Sequence, residues 1–148
     1  MAEAAQRRAR AIWEGSLAEG SGTVTLESSG LGGVLPSTWA SRTARSDGKT
    51  SPEELIAAAH ATCFSMGLSH GLTQAGTPPT RLEAEAVCTF APGESGYRIA
   101  SMALSVKGTV PGIDAAAFAA AAEQARDGCP VSQALKGNVE LSVAAELA

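Results

Sequence analysis

The chain has 148 residues, enough for one domain with a sizeable core. A net charge of -4, a pI near 5.1 and an aromatic content of 4% argue against nucleic acid as the main partner, which needs a basic surface and stacking platforms. No run of about 18 apolar residues is present to span a membrane, and no long apolar core follows the basic N-terminus, so a soluble cytoplasmic protein without a secretory signal is expected.

Residues 1–6 are expected to fray. Short strand patterns over Arg8 to Trp13 and Thr23 to Ser28 flank a Gly/Ser-rich turn at Gly20 to Gly22. Gly32 and Gly33 mark a loop. A third extended segment is expected from Leu35 to Arg45, closed by the turn Ser46-Asp47-Gly48. Ser51 to Leu72 then reads as a long helix. Ser51 suits the N-cap, Pro52 the first helical position, and Glu54 the third residue after the cap, where a capping box needs it. Leu55, Ile56, Ala57, Ala61, Cys63, Phe64, Met66 and Leu68 leave almost no polar face, which predicts burial on most sides.

Gly71, Gly76, Pro78 and Pro79 end that helical region. From Arg81 the period changes to two, with Leu82, Ala84, Ala86, Cys88 and Phe90 on one side and Glu83 and Glu85 on the other. After Pro92, Gly93 and Gly96 a second strand carries Met102, Leu104 and Val106 on its apolar side, and the two read as an antiparallel pair. Asp114 caps an alanine-rich helix to about Arg126. Gly128, Cys129 and Pro130 break and restart it through Leu135, Gly137 stops it, and Val139, Leu141 and Val143 alternate in a last strand. The order predicts a single α+β domain over 1–148 with mainly antiparallel sheet.

Three cysteines are present: Cys63, Cys88 and Cys129. In a reducing compartment a cysteine pair is more often redox-active, catalytic or metal-binding than structural, and the odd count leaves at least one bystander. Cys129 precedes Pro130 and therefore falls at a helix N-cap, where free N–H groups and the helix dipole favour a thiolate; the competing reading is a small capping residue in a loop. Cys63 lies about three turns into its helix, beyond the reach of that helix's own N-terminus. A mid-helix cysteine is commonly an inert small hydrophobe, and reactivity requires an outside cation. Arg42 and Arg45 are the candidates. His60, one turn before Cys63, reads as a packed core residue. Glu54 has a structural explanation in its capping box, whereas Glu53 has only the general preference for acids in a first turn. Glu53 precedes Cys63 by ten residues, about 15 Å at ~1.5 Å per residue, so it reaches such a site only from a partner chain unless the helix breaks. Cys88 reads as buried and structural. A zinc site from His60, Cys63 and Cys129 lacks the usual paired ligand spacings.

The stretch from Ser51 to Ser69, SPEELIAAAHATCFSMGLS, resembles the central-helix motif of the OsmC/Ohr family, and Cys129 to Leu141, CPVSQALKGNVEL, resembles its second-cysteine motif. Ala-His-Ala before Cys63 and Phe-Ser-Met after it are more similar to the OsmC branch. The resemblance implies an α+β OsmC-like fold, an intertwined homodimer whose mainly antiparallel sheets wrap long central helices. It implies a thiol peroxidase that reduces organic hydroperoxides in oxidative or osmotic stress defence, with no metal or other cofactor and a dithiol reductant such as a lipoylated protein. By motif, Cys63 would be the peroxidatic cysteine, Cys129 the resolving cysteine, Glu53 the helix-start glutamate and Arg42 the activating arginine, with Arg45 its competitor. Phe64, Met66 and Trp39 would favour a greasy substrate. Two other readings stay open: a stress-response carrier of hydrophobic ligands with a non-catalytic thiol at Cys63, and a thiol hydrolase or acyltransferase using Cys63 with His60.

Overall fold

A computed structural model describes residues 2–148. The chain divides into two compact units, one ending at Pro52 and the other running from Glu53 to Ala148. In the first, β1 (Arg10–Glu14), β2 (Ser21–Thr25) and β3 (Val34–Ser37) form an antiparallel sheet in chain order. Residues 2–9 have no regular secondary structure. The expected turn after residue 45 is present, with Asp47 at φ 52° and Gly48 at φ 76°.

The extended segment expected over Leu35 to Arg45 is half wrong. After β3 the chain turns into a short helix, α1 (Trp39–Thr43). Thr38 caps it reciprocally: its hydroxyl accepts from the Ser41 amide at 3.0 Å while its own amide donates to Ser41 Oγ at 2.9 Å. Ser41 Oγ also donates to the Thr50 carbonyl at 3.0 Å. Two local hydrogen bonds at the cap outweigh the extended preference of the flanking residues.

In the second unit α2 (Pro52–Gln74) is followed by β4 (Arg81–Gly93) and β5 (Gly96–Thr109), the expected antiparallel pair. Helices α3 (Ala115–Gly128) and α4 (Pro130–Leu135) lead to β6 (Glu140–Leu147), which lies beside β5. That last pairing is parallel, with Met102 opposite Leu141 and Leu104 opposite Val143. Parallel neighbours need a long crossover, and α3 with α4 supplies it.

One face of this sheet carries the core. Leu104 and Val106 of β5 pack with Phe64, Leu68 and Leu72 of α2 and with Phe118 and Ala122 of α3. Gly108 completes the fit, because a Cβ there would stand 2.4 Å from the Phe118 ring. On α2 the buried stripe is Glu53, His60, Phe64, Leu68 and Leu72, the four-residue spacing of one helix face. The opposite side is open, and Met66 is 68% exposed. The burial expected around most of α2 is therefore met on one face within a single chain.

Candidate active site

The site joins the middle of α2 to the start of α4. Cys129 is both the last cap of α3 and the first cap of α4, with extended backbone at φ -64°, ψ 124°. Its side chain makes no cap hydrogen bond to α4. Instead its thiol donates to Cys63 Sγ at 2.9 Å. Both cysteines are free thiols, Cys63 half-buried and Cys129 buried. The two sulfurs need close by less than about 1 Å to reach the ~2.05 Å of a disulfide.

Burial pushes the Cys63 thiol up, and its neighbour Cys129 pushes it further; a backbone hydrogen bond from Val131 pulls it back. Val131 is the second residue of α4, so an amide that a short helix leaves unpaired at its start serves the sulfur of another helix. Sequence reasoning assigned that helix start to Cys129 alone and missed Val131. The signal, a cysteine at an N-cap that Asp, Ser or Thr would fill better, is visible in Gly128-Cys129-Pro130.

His60 is fully buried, and its Nε2 lies 2.7 Å from Ser132 Oγ. Its Nδ1 has no hydrogen-bond partner among the described residues. Burial lowers the His60 pKa, which keeps the ring neutral. The expected packed histidine is present, but it is half satisfied and bonded to the helix that carries Cys129.

Helix α2 runs unbroken from Pro52 to Gln74, so Glu53 stays about 15 Å along the axis from Cys63 of its own chain. Glu53 is buried, and its charge helps burial raise the pKa of Cys88 on β4. Cys88 itself is a free, half-buried thiol on the inward face of its strand. Arg42 sits in the last turn of α1 with its guanidinium 5.9 Å from the centroid of the Trp39 ring, and Arg45 lies exposed beyond the helix end. Phe64, expected to shape a substrate pocket, is fully buried in the core and has no surface left for one. A separate groove of about 510 Å³ runs between α2 and α3, lined by Gly67, Gly71, Leu72, Ala117, Ala121 and Ala125. Among the described residues no group of three His, Cys, Asp or Glu side chains is placed to hold a metal, and no helix is long and apolar enough to cross a membrane.

The model of the family described as OsmC-like protein matches residues 45–144, a span that includes both cysteines. A protein named peroxiredoxin OsmC, from Escherichia coli, is 42% identical over 137 residues, 91% of this chain and 93% of its own. The organic hydroperoxide resistance protein OhrA of Bacillus subtilis is 31% identical over 98 residues, 64% of this chain and 65% of its own. The greater likeness to the first agrees with the OsmC-branch features around Cys63. In three dimensions the crystal structure of OhrB from Bacillus subtilis superposes with a TM-score of 0.73 at 26% identity, covering 95% of this chain and 98% of that one. With sequence and fold matched over nearly their whole length, the chain belongs to the OsmC-like family.

Proposed function

We propose that this chain is a cysteine-based peroxidase that reduces organic hydroperoxides, and hydrogen peroxide less well, in oxidative or osmotic stress defence. The observation that carries the reading is the 2.9 Å approach of Cys63 and Cys129 sulfurs from two different helices. The names of the relatives, a peroxiredoxin and an organic hydroperoxide resistance protein, support it.

The Cys63 thiolate attacks the distal oxygen of the hydroperoxide. The O–O bond breaks, the sulfur is oxidised by two electrons to a sulfenic acid, and the leaving alkoxide takes a proton and departs as the alcohol. Cys129 sulfur then attacks the sulfenic sulfur, forming the disulfide and releasing water. An external dithiol, such as a lipoylated protein, returns both cysteines to thiols by exchange. Since burial and Cys129 both disfavour the Cys63 thiolate, the Val131 amide needs help from a cation. Arg42 takes that role, oriented by Glu53 through a charge-assisted hydrogen bond. Its half-buried place on a capped helix favours it over the exposed Arg45.

The active unit is a cytoplasmic homodimer in which 1–148 acts as one domain and each site draws Glu53 from the partner. The unbroken α2 and the open Met66 face support that arrangement. Mass spectrometry after one equivalent of cumene hydroperoxide tests the function. A Cys63–Cys129 disulfide is expected, and its absence would remove the peroxidase reading.

The groove between α2 and α3 favours a second reading, a carrier of hydrophobic ligands, since its volume falls in the ~300–1,000 Å³ range of small-molecule sites. A carrier binds an apolar probe there and forms no peroxide-induced disulfide.

A further inference from the structure

Helix α4 has six residues, and among them only Ser132 is buried. None of its residues belongs to the apolar core cluster. An amphipathic helix is ordinarily held by an apolar face; the one side chain that α4 buries is a hydroxyl, and that hydroxyl meets the His60 imidazole at 2.7 Å. Two side-chain contacts thus tie the same two elements together. On α2 they start from His60 and Cys63, and they land on Ser132 and Cys129 in the reverse order. The spacing is three residues on both sides, which sets the two contacts about 4.5 Å apart on α2 at ~1.5 Å per residue.

We propose that His60 and Ser132 are positioning residues for the thiol pair, their hydrogen bond holding the start of α4 at the distance from α2 that lets Cys129 close on Cys63. The inference rests on the peroxidase reading and goes beyond it by naming what sets the rate of the second step. Sulfenic acid formation needs Cys63, its charge partners and the hydroperoxide. Disulfide closure needs in addition that Cys129 be held within reach, a proximity effect. While the bond is intact, closure outruns a second hydroperoxide. Without it, α4 has no buried side chain bonded to α2 on the His60 side, Cys129 spends less time near Cys63, and the sulfenic acid is oxidised again to the sulfinic acid by excess hydroperoxide.

Ser132→Ala removes one oxygen and no apolar contact. His60→Gln keeps a hydrogen-bonding nitrogen at the reach of Nε2, and His60→Asn withdraws it. The full-length proteins are mixed with cumene hydroperoxide, and sulfenic acid (trapped by dimedone), disulfide and sulfinic acid are followed by rapid quench and mass spectrometry. Ser132→Ala should slow disulfide closure about tenfold, the size expected for loss of one buried hydrogen bond. Its sulfenic acid formation loses part of the Val131 support for the thiolate and should fall by less than about threefold, well short of the loss in closure, and its sulfinic fraction should rise under excess hydroperoxide. His60→Gln should close at a rate near that of the unsubstituted protein. If Ser132→Ala does not fold, His60→Asn is read in its place with the same two rates. Closure at the unsubstituted rate, or a loss shared equally by both steps, overturns the positioning role. An unsubstituted protein that forms no disulfide at all overturns the peroxidase reading itself, a result distinct from either.

Discussion

Helices α3 and α4 begin in opposite ways, although a single residue separates them. At the start of α3, the Asp114 carboxylate accepts from the Ala117 amide at 2.8 Å, so the helix supplies its own cap. At the start of α4, Pro130 removes one amide and Cys129 caps nothing with its side chain. The Val131 amide goes to Cys63 and the Ser132 hydroxyl to His60. The first helix start is optimised for itself. The second is left unfinished by its own residues and completed by another helix, so its geometry depends on α2. Strain or an unmet capping preference of this kind is where sequence and local stability disagree, and such disagreement marks function.

The comparison is most sharply tested where α4 meets α2. Cys63→Ala removes both the sulfur that accepts from Val131 and the group that would attack a hydroperoxide. Turnover of cumene hydroperoxide should fall to background in a coupled dithiol assay; full activity would detach the unfinished helix start from the chemistry. Cys129→Ser should separate stability from activity. Serine is a favoured N-cap, so the substitution should leave folding stability unchanged or raise it by up to about 1 kcal/mol in denaturant unfolding. Sulfenic acid should still form on Cys63, yet steady cycling should be lost and the protein should inactivate irreversibly. A variant that gains stability and still cycles normally would mean that Cys129 is only a poor cap.

Much of this was legible in the chain because helix ends advertise themselves. Pro52, Asp114, Pro130 and Gly137 lie at or beside the helix limits observed, and alternation located β4 and β5. Other features had no local signal. Five residues of α1 are too few to display a helical period, and its cap uses Ser41 where a capping box usually has Glu or Gln. The direction of β6 was hidden because alternation is the same in parallel and antiparallel strands. Both sulfurs could be named from motif, but the contacts around them join residues 66 to 72 positions apart. The charge of Glu53 against Cys88 is likewise a product of packing, and no pattern in either segment announced it.

Acid should weaken the link between α2 and α4 through His60. Burial lowers the His60 pKa in the folded chain below the ordinary value of 6.5, so the unfolded chain binds the extra proton first. The stability contributed by a neutral His60 is therefore complete above pH ~6.5 and is lost as pH falls, by at most about 1.4 kcal/mol per pH unit for one proton. Denaturant unfolding between pH 7.5 and pH 5 should show that slope in the unsubstituted protein and a shallower one in His60→Gln. Equal slopes would place the acid sensitivity elsewhere.

The smallest effect should come from the self-sufficient helix. Asp114→Ala deletes the carboxylate that caps α3 and should cost about 1 kcal/mol, a few degrees in melting temperature for a chain of this size. The bond it removes lies within a single helix turn, whereas Phe118 and Ala122 of α3 stay packed in the core. The helix is thus held in place by its apolar face even when its first turn frays. Closure of the Cys63–Cys129 disulfide should proceed at the unsubstituted rate, because α4 takes its position from His60 and Cys63 on α2. If Asp114→Ala slows closure as much as Ser132→Ala does, α3 transmits its stability into the site and the two helix starts are one device. If it lowers only the melting temperature, capping at α3 and positioning at α4 are physically separate.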